Sequence, residues 1–232
     1  MRYSKVAAAI TALLLTTAPA VAADKKAQED PRDKPLRAAS LLMAQGKPAE
    51  TLIAVEPILA AYEAEFASEK RQIYCGINPT ETLLYMMMAA KDKKDAVAVY
   101  PGWCEALFLK GFSLIDQKQF DAGLSFLTRA VAMAPAHAHY LNEVGYAHQA
   151  LHHWPESLAA YESAADYANI ADDSVKTAQQ TRAWRGMGYV YVEQGKWDEA
   201  AEMYRKCLKL DPNDAKAKGE LQYVKQSRPK TS

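Results

Sequence analysis

The sequence predicts an all-α fold: a solenoid of antiparallel helix pairs, with additional N-terminal helices before it and a capping helix after it. Three observations carry this reading. Residues of one kind recur 34 positions apart, as in Gly111 and Gly145, Phe120 and Trp154, Leu127 and Tyr161, and Ala130 and Ala164. The same order returns at an offset of 43, where Gly145 is followed by Gly188 and Trp154 by Trp197. Pro135 and Pro212 end two of the segments, because proline has no amide hydrogen to donate and disfavours helix in its predecessor. A fixed period of this length is the mark of stacked two-helix units.

The first element, residues 1–23, reads as an export signal. Arg2 and Lys5 form a positive start, Val6 to Thr17 an apolar run, and Ala20-Val21-Ala22 a small-residue cleavage site. A periplasmic or secreted location is therefore expected. No later stretch approaches the ~20 apolar residues that a membrane helix needs, so no transmembrane segment is expected after cleavage.

Residues 24–103 form an N-terminal helical region. Leu36 to Gln45 and Ala49 to Arg71 have helical periodicity and are joined by Gly46-Lys47-Pro48, so that 32–71 is a candidate degenerate repeat. Ala39 stands there where the later copies have glycine, and Pro57 is placed to kink or divide the second helix. Asn78-Pro79 opens a helix over Thr80 to Lys91, and Asp92 to Gly102 reads as a connector. The Met86-Met87-Met88 run is read as core filling rather than a metal or heme site, since adjacent helical residues point in different directions.

Three regular copies follow at 104–137, 138–171 and 181–214, with an insertion at 172–180. Gly111, Gly145 and Gly188 lack a side chain where the two helices of each copy cross, and Ala130, Ala164 and Cys207 are the small counterparts on the second helix. In the last copy Trp184, Met187, Gly188, Tyr191, Ala200, Tyr204 and Pro212 match, position for position, the pattern W-x2-L-G-x2-Y, A-x3-F, P, with Met and Tyr as similar-sized replacements. This copy resembles the tetratricopeptide repeat. Asn169 stands where the second copy lacks its terminating proline, so that its helix can run on. Residues 215–232 are a capping helix with Leu221 and Val224 on its apolar side, and a disordered tail from Arg228.

The resemblance implies a right-handed superhelix whose concave face is lined by the first helix of each pair. Positions 2, 5, 9 and 12 of each copy would face that groove, giving Glu105, Phe108, Phe112 and Ile115; His139, Asn142, Tyr146 and Gln149; and Arg182, Arg185, Tyr189 and Val192. The candidate peptide-binding residues are Phe108, Phe112, Asn142, Tyr146, Arg182, Arg185 and Tyr189. Such a groove would take hydrophobic anchors near Phe108 and Phe112, and an acidic group or terminal carboxylate near Arg182 and Arg185. The alternative reading has these aromatics covered by the chain's own N-terminal helices or by a neighbouring copy.

The implied function is a non-catalytic scaffold or adaptor of the bacterial cell envelope that binds a protein or peptide. The rivals are a self-associating subunit and, third, a metal-binding accessory protein. Lys plus Arg equals Asp plus Glu at 28 each with no long block of either sign, so a nucleic-acid partner is not indicated. No catalytic motif of the hydrolase, phosphate-loop, zincin or dithiol kind occurs, so an enzyme with a resident cofactor is not expected. His148 and His152 have a chelating i, i+4 spacing with His153 adjacent, but His148 falls at a core position and His152 and His153 in the turn, and no carboxylate or cysteine ligand is fixed nearby by the pattern. Of Cys75, Cys104 and Cys207, the last sits at a repeat core position. Two readings stand: a Cys75–Cys104 disulfide, or three buried thiols.

Overall fold

The computed structural model describes residues 30–229; the export signal read over 1–23 lies outside them. The described residues form helices α1 (Asp33–Ala44), α2 (Pro48–Glu65), α3 (Pro79–Lys91), α4 (Gly102–Asp116), α5 (Phe120–Met133), α6 (Ala138–Ala150), α7 (Trp154–Tyr167), α8 (Asp173–Glu193), α9 (Trp197–Leu210) and α10 (Ala215–Ser227). Two short strands, β1 (Gln72–Tyr74) and β2 (Ala96–Ala98), flank α3. The fold is an all-α solenoid. Helices α1/α2, α4/α5, α6/α7 and α8/α9 pair as hairpins, each second helix packs on the first helix of the next pair, and α10 covers α9.

Each hairpin turns in the same way. The residue at the bend has left-handed backbone in all four, with φ of 69° at Gly46, 60° at Lys118, 59° at His152 and 70° at Gly195. The two amides that follow each helix reach back to the last turn in the same pattern, for example Gly195 to the Val192 carbonyl and Lys196 to the Tyr191 carbonyl. Such a bend closes the orphan carbonyls of a helix end and strains any residue that carries a Cβ. Lys118→Gly is therefore expected to stabilise the protein by about 0.5–1 kcal/mol, seen as a rise in thermal midpoint; an unchanged or lower midpoint would show that the bend is unstrained.

Close helix crossing explains the glycines. A Cβ at Gly111 would come within 2.8 Å of Leu127, one at Gly145 within 2.8 Å of Tyr161, and one at Gly188 within 2.7 Å of Tyr204. The corresponding pair in the first hairpin is Ala39 with Val55, both fully buried. A larger residue on the first helix is matched there by a smaller one on the second.

Several elements differ from expectation. Helix α2 ends at Glu65, before the polar run through Arg71, and is continuous through Pro57. Pro57 and Ile53, whose carbonyl loses its helical donor, both face solvent, so the break in the ladder is solvated. The connector after α3 contains β2, which pairs in parallel with β1 through Gln72↔Ala96, Ile73↔Val97 and Tyr74↔Ala98. In the methionine run Met88 packs on the core while Met87 is 61% exposed, because α3 buries only its Glu81–Tyr85–Ala89 stripe. Helix α7 does not run on: it stops at Tyr167 and a 3-10 turn, Ala168–Ile170, reverses the chain. The residues read as an insertion instead lengthen α8 at its start. Arg228, expected in a disordered tail, forks onto Asp198 at 2.5 and 2.7 Å.

The excursion 66–101 is tied down on several sides. Cys75 is bonded to Cys104 at the start of α4, and the Cys75 amide donates to the Met133 carbonyl at 2.8 Å. Tyr85 stacks on Tyr74 and donates to the buried Glu81 at 3.1 Å. Behind it α2 stays seated on α4, with Trp103 stacked against Tyr62 and Phe66 and Lys110 paired to Glu56 at 2.7 Å.

Candidate interaction cleft

The first helices α4, α6 and α8 present the residues read as groove-lining, but the two ends of that face differ. At the α4 end helix α1 narrows the wall to a smaller pocket. Phe108 is 5% exposed and stacks on Tyr140 at 4.8 Å, with Phe112 and His139 tilted against it. Helix α1 closes over this region, where the Ser40 hydroxyl donates to Glu105 at 2.8 Å.

At the α8 end the face opens into a cleft of about 680 Å³ between α6, α8 and α10. Tyr146 and Tyr189 stand at its mouth, each 41% exposed. Tyr161 and Tyr204 lie beneath them, buried, and the Tyr161 hydroxyl donates to Gln149 at 3.1 Å. The Tyr204 hydroxyl has no hydrogen-bond partner among the described residues. Gly186 lets the Tyr161 ring approach, since a Cβ there would fall within 2.3 Å of it. Gly219, on the α10 wall, meets nothing within 4 Å, so packing does not demand a glycine there.

The polar groups pair in ways the sequence did not disclose. Asn142 is fully buried, and its amide donates to the Gln179 carbonyl and side-chain oxygen at 3.1 and 3.0 Å rather than into the cleft. Arg182 lies 2.6 Å from Glu143, which is 1% exposed. Arg185 is paired with Asp214, which also caps α10 by accepting from the Ala217 amide. Burial pushes the Glu143 carboxyl up to about 6, against the pull of Arg182. The two arginines of the expected basic end thus already hold carboxylates of this chain. A carboxylate ligand would have to compete with Glu143 and Asp214.

His148 and His152 do not come together. His148 Nδ1 lies 3.4 Å from His153 Nδ1, while His152 sits at the bend with its ring edge-on to Trp154. Among the described residues no group of three or more His, Cys, Asp or Glu is gathered for a metal. No helix among them is long and apolar enough to cross a membrane. Cys207 is a buried free thiol whose Sγ points to the Thr181 carbonyl at 3.4 Å.

The fold and the cleft define a helical-hairpin solenoid whose concave surface is widest at the α8 end. Residues 181–214 match the family described as tetratricopeptide repeat, and in fold the chain is a solenoid of that type. Protein bimA of Emericella nidulans is 30% identical over 113 residues, 49% of this chain, and the chain spans only 12% of that relative's length. Among solved structures, a MamA RS-1 double mutant superposes with a TM-score of 0.56 at 14% identity, covering 88% of each chain. MamA 41-end from Desulfovibrio magneticus RS-1 gives 0.54 at 15% identity, over 86% of this chain and 87% of that one. At these identities the likeness is one of fold.

Proposed function

We propose that the chain is a non-catalytic scaffold of the bacterial cell envelope that holds a peptide or protein segment in the cleft between α6, α8 and α10. The observation that carries this is the pair Tyr146 and Tyr189, presented half-exposed by consecutive first helices at the mouth of the cleft. Aromatic rings give contact area at low conformational cost, and two of them on consecutive helices offer a stacking surface to an extended segment. Because Arg182 and Arg185 are internally paired, the tyrosine stacking surface rather than these two arginines supplies the main contact. The export signal and the Cys75–Cys104 bond both support an oxidising compartment.

The test is capture of partners from the envelope by the tagged full chain, compared with the double variant Tyr146→Ala, Tyr189→Ala. Loss of two interface tyrosines is expected to weaken binding roughly 10- to 100-fold while leaving the thermal midpoint near that of the parent, since both rings are exposed. Retention of every partner by the double variant would end this reading. A cleft filled by a second copy of the chain would instead appear as a concentration-dependent mass in light scattering that the same variant abolishes.

A further inference from the structure

We propose that a second pocket, between α1, α4 and α6, seats a basic side chain, lysine or arginine, of the segment that the cleft holds; the inference rests on the groove reading above. The pocket encloses about 410 Å³ further along the same concave face. Its walls are mostly apolar, with Met43, Ile77, Phe108 and Leu109 among them. Glu105 is the carboxylate in this lining, half-buried and held in place by the Ser40 hydroxyl at 2.8 Å.

The contrast with the other inner carboxylates is what gives the pocket its preference. Glu143 and Asp214 each hold an arginine of this chain. Glu105 has no cationic partner among the described residues. The two imidazoles at the pocket, His137 and His139, are kept neutral at neutral pH because burial disfavours their charged forms. A half-exposed carboxylate flanked by apolar wall and without an ion-pair partner favours a cation, which adds a charge-assisted hydrogen bond to the apolar contact. The ligand must also cover apolar wall. Lysine and arginine meet both needs: a hydrocarbon stem to lie along Met43 and Phe108, and a charged head for Glu105. The preference is thus for a base, opposite in sign to the acidic group expected from the arginines of the third copy.

The test is an NMR titration of the full chain with Nα-acetyl-lysine-N-methylamide, its arginine counterpart and the neutral norleucine counterpart, reading the amides of Ser40, Phe108 and His139. Saturable shifts are expected for the two bases with affinity at least fivefold above norleucine. Glu105→Gln is expected to bring all three to the norleucine level while keeping the parent's thermal midpoint, which is reasonable for a half-exposed side chain. Tyr146→Ala with Tyr189→Ala is expected to leave these shifts unchanged, so that failure of the cleft reading and failure of the pocket are told apart. Equal affinity for norleucine, or a preference that survives Glu105→Gln, would overturn the proposal. Binding of n-butylamine as tight as that of the lysine amide would assign the pocket to free amines instead and overturn the side-chain assignment.

Discussion

Replacing Cys75 and Cys104 together by alanine is expected to lower the unfolding free energy by about 3–4 kcal/mol, the loss predicted from chain entropy for a loop of this length. The bond joins residues 29 apart in sequence, and both sulfurs are fully buried. What it restrains is the excursion through β1, α3 and β2, which is otherwise joined to the rest by the Cys75 amide on Met133 and by Tyr74, Tyr85 and Ala89 packed into the main core. The loss is therefore expected to be local first. Urea denaturation should give a lower midpoint, and amide exchange should quicken over 72–98 before it changes in α6 to α10. The same urea midpoint with reductant present throughout unfolding would show that the bond contributes nothing to stability.

Acidification from pH 7 to pH 5 is expected to cost about 2–3 kcal/mol of stability, and His137 and His139 set the sign. Burial, helped by the neighbouring His139 at His137 and by Arg182 at His139, lowers both imidazoles to about 4. Their unfolded values lie near 6.5, so between about 4 and 6.5 the unfolded chain binds more protons than the folded one. Their contribution is complete above pH 6.5 and is lost as the pH falls towards 4. Glu143 acts in the opposite direction. Its folded value of about 6 exceeds the ordinary 4.5, so its burial cost, on the order of 2 kcal/mol, sets in as the pH rises from 4.5 through 6. Glu81 and Asp116, also raised by burial, act with Glu143, and His148, lowered by burial, acts with the other histidines; the large lowering of His137 and His139 keeps the net slope towards instability in acid. His137 also caps α6, its Nδ1 facing the Tyr140 amide at 3.4 Å, a role that a protonated nitrogen cannot fill. His137→Asn keeps a capping oxygen and removes one titrating group, so it is expected to roughly halve the histidine part of the pH 7 to pH 5 loss. A loss of the same size in this variant would remove His137 from the account.

The hairpins were readable because their determinants are local. Gly188 and Tyr204, or Gly145 and Tyr161, lie on adjoining helices and answer to one packing need, so the same size relation recurs at each period. The excursion was not readable for the opposite reason. Strands of three residues, Gln72–Tyr74 and Ala96–Ala98, carry too little alternation to register, and their pairing depends on chain brought in across α3. The cleft was legible in part. Tyr146 and Tyr189 stand at its mouth, yet the bonds that bury Asn142 and occupy Arg182 and Arg185 come from Gln179, Glu143 and Asp214. A signal was present in Glu143: a charged residue on the inward side of a first helix requires a counter-charge, and the next first helix offered Arg182.

The junctions between neighbouring hairpins are fastened by different means. Between α6 and α8 the contacts are directional or short-ranged, the Asn142 amide on Gln179 and the Arg182–Glu143 ion pair, and each weakens if the helices shift by an ångström or two. Between α4 and α6 the link is ring on ring, Phe108 over Tyr140, a contact that tolerates sliding in its own plane. Bending of the superhelix should accordingly concentrate at the α4–α6 joint, so that the curvature of the whole coil is adjusted there while the tyrosine-lined half travels as a rigid block.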